Sequence, residues 1–230
     1  MTCAHCRGLE AMFDRREAQR ALRRYRKRGP AKTTRALTEA LRGADVNGAT
    51  VLDIGGGVGA VPHALLEAGA RAATDVDVSS SYVDAARAEA ERRGVAPQIA
   101  FRQGDFVSLA AEIPEADVVT LDRVICCYPD VRALVSLSAA HARHLYGLVF
   151  PRDTWWARLG IGIINLVLFI MRNPMRTFVH GRNVVDDLVR TAGLSPLFQR
   201  RFFFWQVAVW SRDPRTAVGA GQNLPASIAP

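Results

Sequence analysis

The stretch Val51-Leu52-Asp53-Ile54-Gly55-Gly56-Gly57-Val58-Gly59 constrains this chain more than any other. Residues 50–54 form a short, mostly apolar run that stops abruptly on glycine, the pattern of a buried strand. Glycines at the following turn let the backbone approach a ligand closely. The helical pattern over 58–68 then aims its free N–H groups back at that turn. Strand and helix patterns go on alternating downstream. Strands are expected over 71–76, 99–103, 117–121 and 147–150. Helices are expected over 79–93 (with Ser79 as N-cap), 131–145 and 183–192, and two further strands over 194–198 and 202–210. This alternation predicts an α/β fold, a doubly wound and mostly parallel sheet covered by helices on both faces. With 230 residues, 49% of them apolar, the chain can bury a full core, which excludes an intrinsically disordered protein.

The glycine turn alone leaves two ligands open. Gly55-x-Gly57-x-x-Ala60 fits the looser fingerprint for a nicotinamide dinucleotide, and Asp77 stands 20 residues after Gly57, where that fold carries its ribose-binding acid. Three features favour a different ligand. Asp53 precedes the glycines, where a carboxylate repels a pyrophosphate but suits an amino group. Gly104-Asp105-Phe106 offers a carboxylate and a ring after the third strand. Asp117-Val118-Val119-Thr120-Leu121-Asp122 closes the fourth strand with a further acid at the ligand-facing edge.

On these motifs, in this order over about residues 50–210, the chain resembles the class I S-adenosylmethionine-dependent methyltransferases. The resemblance rests on D-x-G-x-G-x-G from Asp53 to Gly59 and on the acidic end of strand two, Asp75-Val76-Asp77-Val78-Ser79. The Gly-Asp-hydrophobe after strand three and the Asp-hydrophobe run of strand four complete it. It implies a Rossmann-like, seven-stranded sheet whose final strand is antiparallel, and S-adenosyl-L-methionine as cofactor. It implies that Gly55, Gly57 and Gly59 line the methionine part while Asp53 approaches its amino group. It further implies that Asp77, with Val78 beside it, takes the ribose, that Asp105 and Phe106 hold the adenine, and that Asp122 contacts the cofactor edge. Methyl transfer from a sulfonium needs alignment more than a dedicated base, and no strong catalytic motif is found. Asp122, His180 and Tyr128 are the candidates on the acceptor side; His63, His141 and His144 are read as structural residues on helices, and Cys126 and Cys127 as packing residues.

Formal net charge is +8, which by itself suggests a nucleic-acid, anionic-membrane or acidic-ligand partner. Residues 1–48 hold 12 basic and 5 acidic residues, so nearly all of that charge belongs to an N-terminal arm and the body is close to neutral. Helices are expected over 9–28 and 30–41. The expected organisation is therefore a basic helical arm or cap (1–48), a methyltransferase domain (49–212) and a disordered tail (213–230). By the same resemblance, Tyr25, Arg28 and Lys32 reach the cofactor. An RNA methyltransferase using the arm on phosphates is the competing reading. Against it, strand four lacks the Asn/Asp-Pro-Pro-aromatic motif of enzymes acting on exocyclic base amines. A cofactor-binding subunit without turnover is a third reading.

Few cysteines and no apolar leader after Met1 predict a reducing, cytoplasmic setting. Cys3-Ala-His-Cys6 is half a zinc site, and no metal is expected. The apolar run from Leu159 to Met171 has 13 residues, short of a bilayer span. Within an insertion at 155–176 it is expected to act as a lid over an apolar, carboxylate-bearing small-molecule acceptor methylated on oxygen, or to touch a membrane interface through 155–172 and the arm. Here the resemblance leans towards members that methylate porphyrin carboxylates or quinone-type hydroxyls. The sequence leaves the oligomeric state open.

Overall fold

Residues 4–213 are described by the structure, a computed structural model, with side chains from residue 8 onward. Three helices come first: α1 (Ala4–Met12), α2 (Arg15–Arg28) and α3 (Lys32–Arg42). Then follow β1 (Thr50–Ile54), α4 (Ala60–Glu67), β2 (Ala72–Asp77), α5 (Ser80–Arg93), β3 (Ile99–Gln103), α6 (Phe106–Leu109) and β4 (Ala116–Asp122). The chain continues through α7 (Val131–Ala140), β5 (Ala142–Pro151), α8 (Trp155–Ile170), α9 (Arg182–Thr191), β6 (Ser195–Arg201) and β7 (Trp205–Ser211).

The strands form one sheet in the order β3-β2-β1-β4-β5-β7-β6. The first five are parallel, and β7 runs antiparallel to both β5 and β6. The middle strands are apolar on both sides because helices cover both faces, as a parallel sheet requires. On one face Leu37, Leu41, Leu65 and Ala90 of α3, α4 and α5 pack against Val51, Val118 and Val149. On the other, Phe106, Leu134, Val135, Val185 and Val189 of α6, α7 and α9 pack against Leu52, Val119, Leu121 and Leu148.

Several boundaries differ from the sequence expectations. The helix expected over 9–28 is two helices, because Asp14 takes an extended conformation and its carboxylate accepts the Glu17 N–H (2.9 Å), capping α2. The helix expected to reach 145 stops at Ala140. From Ala142 the chain is already β5, paired with Ala116, and the Arg212 guanidinium donates to the Ala142 carbonyl (2.9 Å). His144 is therefore on a strand, 3.7 Å from Asp117, and His141 is the C-cap of α7. The last strands lie at 195–201 and 205–211 rather than 194–198 and 202–210.

The arm is also divided. Leu37 and Leu41 are fully buried, and a Cβ on Gly147 would come within 2.7 Å of Leu37 Cδ1, so α3 is seated on β5 and belongs to the body. Only α1 and α2 are left as an arm. Cys3, the side chain of Cys6 and the tail beyond Asp213 lie outside the described residues. Among the described residues no helix is long and apolar enough to cross a membrane.

Candidate cofactor and acceptor site

Three parallel strands end together at the glycine turn. Gly55, Gly57 and Gly59 all have left-handed φ (+69°, +59° and +76°), a conformation that a side chain disfavours. Gly56 is needed for a different reason. Its backbone lies on the Asp75 carboxylate, where a Cβ would meet Cγ and Oδ2 at 2.6 Å. Asp53 and Asp75 are register partners on β1 and β2, each 1% exposed, so two carboxylates share the space beneath the turn.

Those carboxylates have few partners. Thr120 donates its hydroxyl to Asp53 Oδ1 (2.6 Å), and Asp75 Oδ2 has no hydrogen-bond partner. Burial pushes the Asp53 carboxyl up to about 8 against the opposing Thr120 bond, with further increments from the charges of Asp122 and Asp77. Burial, with Asp53 as neighbour, raises Asp75 as well. Asp77 accepts the Gly57 N–H (3.0 Å) and the Ser79 N–H (2.9 Å), which partly offset the upward shift caused by its burial.

Above this acidic floor lies a cavity of about 910 Å³, large enough for a drug-sized ligand. Asp53, Gly55, Gly57, Asp77, Val78 and Asp122 all line it, as do Tyr25, Arg28 and Lys32 of the N-terminal region. Nearly half of its lining comes from α1 to α3 and their connections, including Arg24 and Arg35. Four of the cations that the sequence placed on an arm, Arg24, Arg28, Lys32 and Arg35, thus line the cavity across from Asp53 and Asp77.

The arm is held there by specific contacts. Glu89 on α5 is fully buried and accepts from Arg26 of α2 (2.7 Å), Arg92 (2.6 Å) and Arg93 (2.9 Å). Hydrogen bonds from Arg92, then Arg26 and Arg93, hold its carboxyl at about 2 despite burial. Arg93 also lies over the Tyr25 ring, 5.1 Å from its centroid, and that ring stacks on His63. Burial and the nearby Arg93 charge lower His63 to about 4. Ser79 donates to the Phe13 carbonyl (2.7 Å), and Thr34 of α3 donates to Asp122 Oδ2 (2.5 Å).

Other expected residues are elsewhere. Gly59 N-caps α4 and faces His63 rather than the cavity. Phe106 is 3% exposed and its ring meets His141 edge-on in the core, so it presents no face to the cavity. Asp105 caps α6 and accepts the Tyr128 hydroxyl (3.1 Å). His180 donates from Nε2 to the Ile125 carbonyl (2.8 Å), and burial lowers its pKa. Of the three acceptor-side candidates, Asp122 alone lines the cavity. Cys126 is buried as a packing residue, but Cys127 lines the cavity. The sequence reading gives Thr34 no place in the site, and it notes Asp75 and Arg123 only as members of the motif of strand two and of the loop after strand four, without a role for either side chain. Arg123 lines the cavity at a left-handed φ of +64°, a strained conformation for a residue with a side chain. A non-glycine residue forced left-handed by tertiary packing leaves no trace in sequence. The Asp53–Asp75 pairing, by contrast, follows from aligning the two buried strands on their glycine-turn ends.

A glycine turn over acids at the carboxyl ends of a parallel sheet, closed by an antiparallel seventh strand inserted beside the fifth, defines the class I S-adenosylmethionine-dependent methyltransferase fold. Residues 51–145 match the family model described as a methyltransferase domain, and the sheet around them has the fold of that class, whose cofactor is S-adenosylmethionine. A ribosomal protein L11 methyltransferase from Aeromonas hydrophila is 36% identical over 118 residues, which is 50% of this chain but 37% of that protein. The chain thus matches well under half the length of this relative. Among solved structures, magnesium protoporphyrin IX methyltransferase from Synechocystis PCC 6803, crystallised with S-adenosylhomocysteine, superposes with a TM-score of 0.71. That match has 21% identity over 91% of this chain and 100% of the other. An O-methyltransferase family protein from Burkholderia thailandensis gives a TM-score of 0.68 at 18% identity over 90% of this chain and 61% of the other.

Proposed function

We propose that this protein transfers the methyl group of S-adenosylmethionine to a carboxylate oxygen of a small apolar acceptor. The observation that carries the reading is the division of charge across one cavity. Asp53 and Asp77 line one side, with Asp75 buried beneath the glycine turn, and Arg24, Arg28, Lys32 and Arg35 line the other beside Glu17.

The floor suits a cationic cofactor. Asp75 Oδ2 is buried without a partner and Asp53 has a single one, so positive charge above the glycine turn meets carboxylates that burial has left under-solvated. In this reading Asp53 takes the amino group, Asp77 the ribose hydroxyls through oxygens that now hold the Gly57 and Ser79 amides, and Gly55, Gly57 and Val78 shape the wall. Asp122 is assigned to the cofactor edge, and Asp105 acts by capping α6. Gly59 acts by starting α4, and Phe106 by fixing α6 from the core.

The roof suits an anionic acceptor. The bound cofactor supplies an activated methyl group, and the protein supplies alignment and exclusion of water. A neutral hydroxyl acceptor would need a base, and no histidine is among the described residues that line the cavity. Tyr82, which does line it, is pushed up to about 12 by burial. A carboxylate is ionised at neutral pH and needs no such group.

The test uses the full chain with methyl-labelled S-adenosylmethionine and a panel of apolar carboxylic acids, phenols and RNA. Label carried into an organic phase and released by mild base, as a methyl ester is, supports the proposal. Base-stable label, or label in RNA alone, overturns it.

A further inference from the structure

Helix α8 is the strangest surface of this molecule. Only Ala157, Ile161 and Leu168 are buried along its 16 residues. The opposite face carries Trp155, Leu159, Ile163, Leu166, Phe169 and Ile170, between 56% and 77% exposed, and Phe203 beside it is 83% exposed. Together these side chains present on the order of 1,000 Å² of apolar surface, well above the ~300–600 Å² of the largest patch on an ordinary monomer.

Charge around the patch is mainly positive, with Asp153 held by Arg158 and Asp186 by Arg182. Between residues 154 and 185 there are four arginines and no acidic residue. Arg158 is paired with Asp153, but no ion pair to a carboxylate involves Arg152, Arg172, Arg176 or Arg201 among the described residues. Arg152 reaches the Phe202 and Phe203 carbonyls, and Arg176 lies over the Phe169 ring at 6.0 Å, so both sit at the edge of the apolar face. Trp156 stacks on Phe203 at 4.7 Å, joining α8 to the β6–β7 turn in one surface. An apolar face bordered by Trp and unpaired Arg matches the depth profile of a bilayer interface, with acyl chains below and anionic headgroups at the rim. Self-association through α8 would instead set arginine rims against each other, which is unfavourable.

The face is also connected to the cavity. After α8 the chain returns to the cavity rim, where the Phe178 N–H donates to the Cys126 carbonyl (2.7 Å) next to the lining residue Cys127. On the way, Met175 packs against Gly8, where a Cβ would come within 2.6 Å of the Met175 nitrogen, beside the lining residue Leu9.

We propose that α8 and the Phe203 turn dock on an anionic lipid surface, so that an apolar acceptor dissolved in the bilayer enters the cavity past the α1 and 171–178 rim. The second half rests on the acceptor reading given above; the docking does not. The experiment is co-sedimentation of the full chain with vesicles of phosphatidylcholine alone and of equimolar phosphatidylcholine and phosphatidylglycerol. Binding to the anionic vesicles, a blue shift of tryptophan emission on binding, and weakening by salt are expected. Phe169→Ser and Arg172→Glu, both on the exposed rim or face, should each weaken partitioning about ten-fold while leaving S-adenosylhomocysteine affinity in buffer unchanged. No binding to either vesicle overturns the docking. So does a concentration-dependent dimer in sedimentation equilibrium that Phe169→Ser abolishes, which would assign the face to a second copy. Cofactor affinity, measured without vesicles, reports separately on the methyltransferase reading.

Discussion

Replacing Asp53 by asparagine should stabilise this protein at mildly alkaline pH and at the same time weaken cofactor binding. Asp53 is 1% exposed, and burial raises its carboxyl from 3.8 to about 8. A folded pKa above the unfolded one means that the native state binds more protons in between. Its stability is therefore full below about pH 4 and falls as pH rises towards 8, by about 1.4 kcal/mol per unit. At pH 7 the cost of keeping or ionising this group amounts to about 4 kcal/mol. Asparagine removes that term and can still accept the Thr120 hydroxyl, but its amide needs an acceptor, at a cost of about 1–3 kcal/mol. The net gain at about pH 7 is then about 1–3 kcal/mol, or about 2–4 °C in Tm for each kcal/mol in a domain of this size. The gain should vanish between about pH 6 and about pH 4.5 and reverse below that. Urea unfolding of both proteins across this range measures it. Calorimetry with S-adenosylhomocysteine should show affinity about ten-fold or more weaker in the variant, since a charged hydrogen bond is lost. A variant less stable than the parent at pH 8, by a margin that does not change with pH, would refute the account of the buried acids.

Asp77→Ala should lower cofactor affinity by about 1–3 kcal/mol and loosen the glycine turn, since Asp77 holds the Gly57 and Ser79 amides; calorimetry with unchanged affinity would remove it from the site. Gly56→Ala should cost stability through the contact with Asp75, and Asp75→Ala in the same chain should restore most of it, as chemical denaturation of the double-mutant cycle would reveal. Glu89→Gln should release α2, read as faster tryptic cleavage at the arm arginines at about pH 8 while the sheet resists; breaking such an ion network costs about 2–3 kcal/mol when the arginines are partly solvated. The same anchor should weaken in acid. His63, lowered from 6.5 to about 4, favours the unfolded state as pH falls through that window, and the Glu89 contribution follows as pH drops from 4.5 to about 2. Hydrogen exchange of α2, corrected for intrinsic rates, should therefore lose protection first in α2 and only later in β1 and β4.

The sequence by itself determined the fold class and the acidic, glycine-lined side of the site. That information is local: a strand that stops on glycine needs only its own residues to be recognised, and Asp53, Gly55, Gly57, Asp77 and Asp122 are placed by their positions at strand ends. Sequence also located the basic charge in the first 48 residues and the apolar run at 159–171. Tertiary structure alone decided where these pieces face. Leu37 and Leu41 draw α3 into the core, which sets Lys32, Thr34 and Arg35 along the cavity wall, and the buried Glu89 pins Arg26 so that α2 closes over the cavity. Packing turned Phe106 into the core and forced Arg123 left-handed, because both answer to neighbours distant in sequence. The periodicity of a helix tells which residues share a face, but whether that face meets core, ligand or solvent depends on partners that only the assembled fold supplies. For α2 the partner is the cavity, and for α8 most of the outer face stays exposed among the described residues.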